Sequence, residues 1–305
     1  EVSFDLKAGE VLGIAALEGQ GQRDVFRMLA GLERVDGGSV ELDGKPYVAH
    51  SPRAALKAGS GVAYLPEERK TEGILAGMTA ASNVVLPILG KVGFPAIVND
   101  RVEFRMAKDA GERVDMAPRY LGFAIGDLSG GNQQKALIAR VLATGARTLL
   151  LFDPTRGVDV GTKASIYAAI RAFTDEGGSV LFYSSELPEL VQLADRCMVL
   201  YGGQIAATYP RDQIDEQRLV TAMTEGRGAR QSGFGGGSVT WAVRGGRQRD
   251  SRRIEERKGL SMRGFLPRRG EGVGERFSCS GTSEDTASTG FPPAFPSRSS
   301  RTPRT

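Results

Sequence analysis

The chain has 305 residues, 40% of them hydrophobic, so a sizeable core can be buried and a wholly disordered protein is excluded. Glycine accounts for 41 residues without any G-X-Y period, which excludes collagen and anticipates loops that need positive φ or close backbone approach. The net charge of +4 is divided: through Gly226 there are 24 Lys and Arg against 29 Asp and Glu, and beyond it 16 against 7, so the periodic part of the chain is mildly acidic and no nucleic-acid partner is expected.

Val2, Phe4 and Leu6 alternate with polar residues, as in a strand with one buried face, and no basic-then-apolar secretory signal precedes them. Residues 11–17 form a short apolar run that reads as a buried parallel strand. A Gly-rich turn, Gly19-Gln20-Gly21, then leads into a helical pattern through Val25, Met28 and Leu29. Residues 39–42 followed by Asp43-Gly44 predict a strand running into a turn, hence an antiparallel portion beside the parallel sheet. His50, the sole histidine, falls in a loop before Ser51-Pro52 and reads as a surface side chain. Residues 61–65 predict a second parallel strand. The apolar stretch 78–98 is interrupted by Asn83, Pro87, Lys91 and Pro95, so it does not read as a membrane span. Residues 79–121 lack strand-like runs and predict a helical insertion, the start of a helical subdomain over about 79–140.

Leu128-Ser129-Gly130-Gly131-Asn132-Gln133-Gln134-Lys135 leads into a helix through residues 136–143. A serine and two glycines at a helix start present backbone N–H groups, and the helix dipole adds positive potential, so this segment suits a phosphate. Residues 148–152 and 179–183 predict parallel strands joined by a helix through Ile166, Ile170 and Phe173 that stops at Gly177-Gly178, a βαβ unit. Residues 197–201 predict a further strand. After Gly226 the composition turns to Gly, Arg, Ser and Pro, and residues 227–305 are expected to be a disordered basic tail. Cys197 and Cys279 are far apart and outside metal-ligand spacing, so neither a disulfide framework nor a zinc site is implied and a reducing compartment fits.

The order Leu128-Ser129-Gly130-Gly131, then about twenty residues later an apolar strand ending in Asp153-Pro154-Thr155, then Arg156-Gly157-Val158-Asp159, resembles the nucleotide-binding domain of ABC transporters. The Asn132–Lys135 extension, Pro66-Glu67-Glu68-Arg69-Lys70 with Gly73, and the stretch from Thr155 to Gly161 are more narrowly similar to the C-terminal half of ATP-binding subunits of ribose, galactose and xylose-type importers. The resemblance covers residues 1–226. It implies an α/β P-loop NTPase fold with a mixed sheet, an antiparallel β portion and a helical subdomain, and it implies an ABC-type ATPase that binds ATP with Mg2+. It also implies an upstream strand with an adenine-stacking aromatic ahead of Val2, so the chain reads as a fragment.

Against that family pattern, the phosphate loop runs from Ala16 to Arg23, with Gly19 and Gly21 kept, Gln22 in place of the lysine and Arg23 in place of the magnesium-holding hydroxyl. A Gly-rich strand-to-helix turn with no ligand is the alternative reading of this loop. Alignment on Pro154 puts Phe152 where the magnesium-organising Asp belongs and Asp153 where the catalytic Glu belongs. Glu67 stands at the Q-loop position and Ser185 at the switch position. Hydrolysis at this half's own site is therefore not expected, and Mg-ATP should bind there weakly or in an altered pose. The signature segment is whole: Ser129, Gly130, Gly131 and Gln133, with Asp159 from the D-loop, would complete an ATP site whose lysine, metal and base belong to a partner half.

The implied partners are a complete ABC ATPase half, transmembrane permease subunits contacted through the helical insertion and the loop from Glu67 to Gly73, and indirectly a sugar-binding protein. The implied location is peripheral, on the cytoplasmic face of the plasma membrane. Rival readings are a catalytically silent regulatory or scaffolding module, an ABC ATPase acting on ribosomes or DNA, and a nucleoside rather than a sugar importer.

Overall fold

A computed structural model describes residues 2–35, 37–91, 93–94, 97–226 and 238–243, all within one compact unit, Glu1–Gln248. In chain order the elements begin with β1 (Val2–Lys7), β2 (Val11–Ala16), α1 (Gln22–Leu29), β3 (Gly38–Leu42), β4 (Lys45–Pro46), α2 (Pro52–Lys57) and β5 (Val62–Leu65). There follow α3 (Ala80–Val85), the short hairpin β6 (Gly93–Phe94) and β7 (Ile97–Val98), α4 (Asp100–Glu112) and α5 (Gly130–Ala143). The second half adds β8 (Thr148–Phe152), α6 (Val160–Asp175), β9 (Ser179–Tyr183), α7 (Leu187–Leu193), β10 (Arg196–Tyr201), β11 (Gln204–Pro210), α8 (Glu216–Glu225) and β12 (Ser238–Val243).

The central sheet has the order β11-β10-β2-β9-β8-β5, parallel throughout except for the antiparallel edge strand β11. Strands covered on both faces must be apolar at every position rather than at alternate ones, which is why β2, β8 and β9 are buried along their whole length. The pleat sends alternate residues to opposite sides. Val11, Ala15, Leu149, Leu151, Val180 and Phe182 join the core formed with α3 to α8. Leu12, Ile14, Leu150, Phe152, Leu181 and Tyr183 join a second core with α1 and the small sheet, through Phe26, Phe4, Leu6 and Val40. Each such Val, Leu, Ile or Phe side chain contributes about 1.5–3 kcal/mol of burial.

The small sheet has the order β1-β12-β3-β4 and is antiparallel throughout. Arg196 fastens β1 to the central sheet: its guanidinium reaches Glu10 at 2.8 Å and Asp5 at 3.1 Å, while Asp195 accepts from the Val11 N–H at 2.8 Å.

The helical portion, α3 to α5, is tied to the rest by Asn83 and Arg140. Asn83 is fully buried; its Oδ1 accepts from Leu75 N at 2.9 Å and its Nδ2 donates to Thr79 O at 2.9 Å and Leu75 O at 3.1 Å. Arg140 donates to Asn83 O at 2.6 Å, to Asn83 Oδ1 at 2.8 Å and to Gly73 O. Burial lowers the Arg140 pKa to about 10.

The parallel strands, the βαβ unit, the antiparallel portion and the helix stop at Gly177 agree with the sequence reading. Three differences stand out. The insertion is not purely helical, because β6 and β7 pair within it. The antiparallel β11 and helices α7 and α8 were not anticipated, since β11 is half apolar and the helices are short. Within the stretch expected to be a disordered tail, Ser238–Val243 is a strand: Val239, Trp241 and Val243 alternate with smaller residues, a period hidden by glycine-rich and arginine-rich flanks. The rest of that expectation, residues 227–237 and 244–305, lies outside the described residues, as does Cys279. His50 is exposed, as expected. Among the described residues no helix is long and apolar enough to cross a membrane.

Candidate functional site

Because β2, β5, β8 and β9 run parallel, the loops leaving their carboxyl ends gather at one end of the sheet, where open α/β sheets place their ligand sites. These loops carry the sequence-predicted residues: Gly19 to Arg23 after β2, Glu67 after β5, Asp153 after β8 and Ser185 after β9.

In the first loop Gly19 and Gly21 have φ of 80° and 96°, a region closed to other L-residues without strain. Gly21 is the N-cap of α1 and, having no side chain, leaves the first-turn N–H groups without a side-chain acceptor. Gln20 Oε1 accepts from Gly202 N at 2.6 Å, pinning the loop to the β10–β11 turn. Gln22 is buried, and its Oε1 finds no hydrogen-bond partner among the described residues. Arg23 is half exposed and its guanidinium lies 3.4 Å from Glu67 and 4.0 Å from Glu72.

Asp153 is buried with a φ of 47°, and its Oδ1 accepts from Ser185 N at 2.8 Å and Ser185 Oγ at 3.0 Å. Burial raises its pKa despite those two donors. One residue earlier, Phe152 packs edge-on against Phe26 with ring centroids 5.2 Å apart and against Tyr183 at 4.5 Å. That strand end is apolar, and no three His, Cys, Asp or Glu side chains converge on a metal position among the described residues. Glu67 bridges two arginines, Arg23 and Arg156, each at 3.4 Å. Glu67, Arg69, Lys70, Gln134, Asp153 and Arg156 border a cleft of about 270 Å³.

The second group lies at the start of α5. Ser129 is its N-cap and accepts from Asn132 N at 3.4 Å and Asn132 Nδ2 at 3.1 Å. A Cβ on Gly131 would stand 2.6 Å from Thr162 Oγ1 and 3.1 Å from Asp159 Oδ2, and one on Gly130 would stand 3.2 Å from Arg69 Nη2. Gly131 is thus held to glycine by close approach to its own chain, whereas at Gly130 only the tip of the Arg69 side chain would have to move aside. Asp159 caps α6, accepting from Thr162 N at 2.9 Å and Thr162 Oγ1 at 2.8 Å, and these bonds lower its pKa. Gln133, expected among the nucleotide contacts, is instead buried, with Nε2 donating to the carbonyls of Leu128, Ile125 and Gly126 at 3.0–3.4 Å. Its neighbours also serve the interior: Gln134 Nε2 donates to Pro154 O at 2.5 Å, and Lys135 Nζ to Asp115 O at 2.8 Å.

Sequence reasoning missed Arg69 and Glu189. Arg69 Nε is buried without a hydrogen-bond partner among the described residues, and its Nη1 reaches Gln134 Oε1 at 3.3 Å. Glu189, on α7, is buried and collects Thr155 Oγ1 at 2.5 Å, Ser184 Oγ at 2.7 Å and Lys163 Nζ at 2.8 Å. It thereby joins the loop after β8, the loop after β9 and helix α6. Only a carboxylate within the otherwise apolar face of a helix hints at it in the sequence.

The profile of the ABC transporter family matches residues 1–156. The chain belongs to the ABC transporter family. It is 38% identical over 221 residues to the ribose import ATP-binding protein RbsA 1 of Rhizobium johnstonii, covering 72% of this chain and 43% of the relative. It is 40% identical over 210 residues to the ribose import ATP-binding protein RbsA of Corynebacterium glutamicum, covering 69% and 40%. The chain therefore spans less than half the length of these curated relatives. In fold it is similar to a nucleotide-free ATP-binding cassette from an ABC transporter, with 20% identity over 68% of this chain and 83% of that one and a TM-score of 0.60. It is also similar to the dimeric bacterial ABC transporter cassette MJ0796, with 20% identity, 69% and 89% coverage and a TM-score of 0.58.

Proposed function

We propose that this ABC family member is the ATP-binding, energy-coupling half of a ribose-type sugar importer whose own phosphate-loop site is degenerate. Its Ser129–Gly131 helix start would complete the ATP site of a partner half. The observation that carries the reading is the contrast between the two sites. At the chain's own site Phe152 lies in an aromatic cluster where a magnesium-organising carboxylate would be needed, Arg23 is engaged by Glu67 and Glu72, and Asp153 is held by Ser185. These residues do not fit a magnesium ion. At the signature segment Ser129 is exposed and caps a 14-residue helix whose first-turn N–H groups can meet a phosphate.

The sugar-import assignment is supported by the names of the relatives, and the permease contact by a groove of about 470 Å³. That groove lies between α2, β5 and the α3–α5 portion and is lined by Leu56, Tyr64, Leu86, Pro87, Leu89 and Val141. It adjoins Arg140, which is bonded to the Gly73 carbonyl, so movement of a bound permease segment would pass directly to the loop that carries Glu67. Peripheral attachment to the inner membrane face through such a subunit follows from the same reading.

The test is to mix the full chain with an ATP-binding half that has a whole phosphate loop and to measure ATP turnover. Ser129→Arg in this chain should lower the stimulated rate by tenfold or more, since it blocks the phosphate position. An unchanged rate would favour a silent interaction module.

A further inference from the structure

The loop after β5 lies along one face of α5. It contains a single wide turn, Arg69–Gly73, closed by Gly73 N donating to Glu68 O at 3.1 Å and Ile74 N to Arg69 O at 2.9 Å; π-type turns of this kind are frequent at functional sites. Gly130, Gln134 and Leu137 are four and three residues apart and so share that face of the helix. The far end of the turn is fixed, because a Cβ on Gly73 would stand 2.9 Å from Leu137 Cδ1 and Arg140 donates to the Gly73 carbonyl. The near end is thereby set at the start of α5. There Arg69 Nη1 donates to Gln134 Oε1 at 3.3 Å, and Nη2 lies 3.2 Å from where a Cβ of Gly130 would be. Gln134 is held in turn by its bond to Pro154 O at 2.5 Å.

A guanidinium at this place is unfavourable on three counts. It stands beside the positive end of the α5 dipole, which favours an anion over a cation. It is half-buried, and that burial pulls its pKa below the ordinary value. It also makes no ion pair among the described residues: Glu67 and Glu68 turn to Arg156 at 3.4 and 3.8 Å, and Glu72 turns to Arg27 at 3.6 Å. Nε has no hydrogen-bond partner among the described residues, so the long bond to Gln134 is all that the fork is given. A bound anion would relieve all three.

On the reading of the Ser129–Gly131 segment given above, we propose that Arg69 is a further phosphate-binding residue of that segment, bonding the terminal phosphate of a nucleotide held by the partner half. The helix start offers a hydroxyl and backbone N–H groups, which are dipoles; Arg69 adds a full charge and a planar donor fork suited to a phosphate. It also offsets Asp159, whose Oδ2 lies 3.1 Å from where a Cβ of Gly131 would be and would repel a phosphate. Other cations on the adjoining elements are engaged: Arg156 with Glu67, Lys135 with Asp115 and Lys163 with Glu189.

The experiment measures ATP turnover against ATP concentration for the full chain mixed with a half that has a whole phosphate loop. Arg69→Gln should raise the KM for ATP at least fivefold, and Arg69→Lys should recover part of that loss. The urea midpoint of Arg69→Gln should equal or exceed that of the native chain, since a cation without a counter-ion is lost. An unchanged KM overturns the inference. So does a lowered urea midpoint with KM raised equally by both substitutions, the mark of a purely structural role. Ser129→Arg separates the two possible failures: if it lowers the rate while Arg69→Gln leaves KM unchanged, the role of Arg69 alone fails. If Ser129→Arg leaves the rate unchanged, the partner-completion reading fails, and inorganic phosphate added to the full chain alone decides. At constant ionic strength it should raise the Tm of the native chain more than that of Arg69→Gln; equal shifts overturn the inference.

Discussion

Replacement of Glu189 tests whether the loops around the site are held by one buried carboxylate. Glu189 is 3% exposed and accepts from Thr155 at 2.5 Å and Ser184 at 2.7 Å, with the Lys163 ammonium at 2.8 Å. Glu189→Ala removes three charge-assisted contacts and leaves the Thr155 and Ser184 hydroxyls without this acceptor, while Lys163 keeps Glu186 at 2.7 Å. Breaking a buried pair from one side costs about 3–5 kcal/mol. For a domain of this size that corresponds to a fall in Tm of roughly 6–20 °C. Glu189→Gln keeps the shape and loses the charge, so about half of that loss is expected.

Burial by itself would raise the Glu189 pKa; the Lys163, Thr155 and Ser184 donors outweigh it and hold it below the ordinary value. A carboxyl with a depressed folded pKa binds fewer protons folded than unfolded. Its stabilisation is therefore complete above the unfolded value of about 4.3 and declines as pH falls through the lower folded value. Urea unfolding of the full chain at neutral and acidic pH should show the wild type losing more stability than Glu189→Gln over that window. A Glu189→Ala variant within 1 kcal/mol of wild type at neutral pH, or parallel pH profiles, would refute the reasoning.

Two further substitutions address the two halves of the site. Gly131→Ala drives a methyl to 2.6 Å from Thr162 Oγ1 and disturbs the Asp159 cap, so a loss of about 1–3 kcal/mol in urea unfolding is expected. Adding Thr162→Ala should recover part of it, because the closest atom is gone. Phe152→Asp places a carboxylate between Phe26 and Tyr183; since truncation of a buried phenylalanine alone costs about 3–5 kcal/mol, the urea midpoint should fall by at least that equivalent, and added magnesium should not restore it.

The parallel core was legible because doubly covered strands leave continuous apolar runs, and the site loops followed from where those runs end. The catalytic-position residues Glu67, Asp153 and Ser185 do come together, and Asp153 and Ser185 are bonded, although they are 32 residues apart. What the sequence hid were contacts with no local signature. Gly131 looked like a phosphate-binding glycine, yet its lack of a side chain is already required by Thr162 and Asp159. Gln133 belongs to the motif, and its Nε2 donates to three backbone carbonyls of its own chain. Thr155 and Glu189 lie 34 residues apart on different elements, and β12 carries only three alternating apolar residues inside a Gly- and Arg-rich stretch.

The most direct test of the central claim, that this chain lends a signature segment while its own site is degenerate, is calorimetric titration of the full chain with Mg-ATP. No detectable heat of binding up to millimolar nucleotide, with or without magnesium, is the predicted result. Micromolar, magnesium-dependent binding abolished by Arg23→Ala would contradict it and make this half an ATP site in its own right.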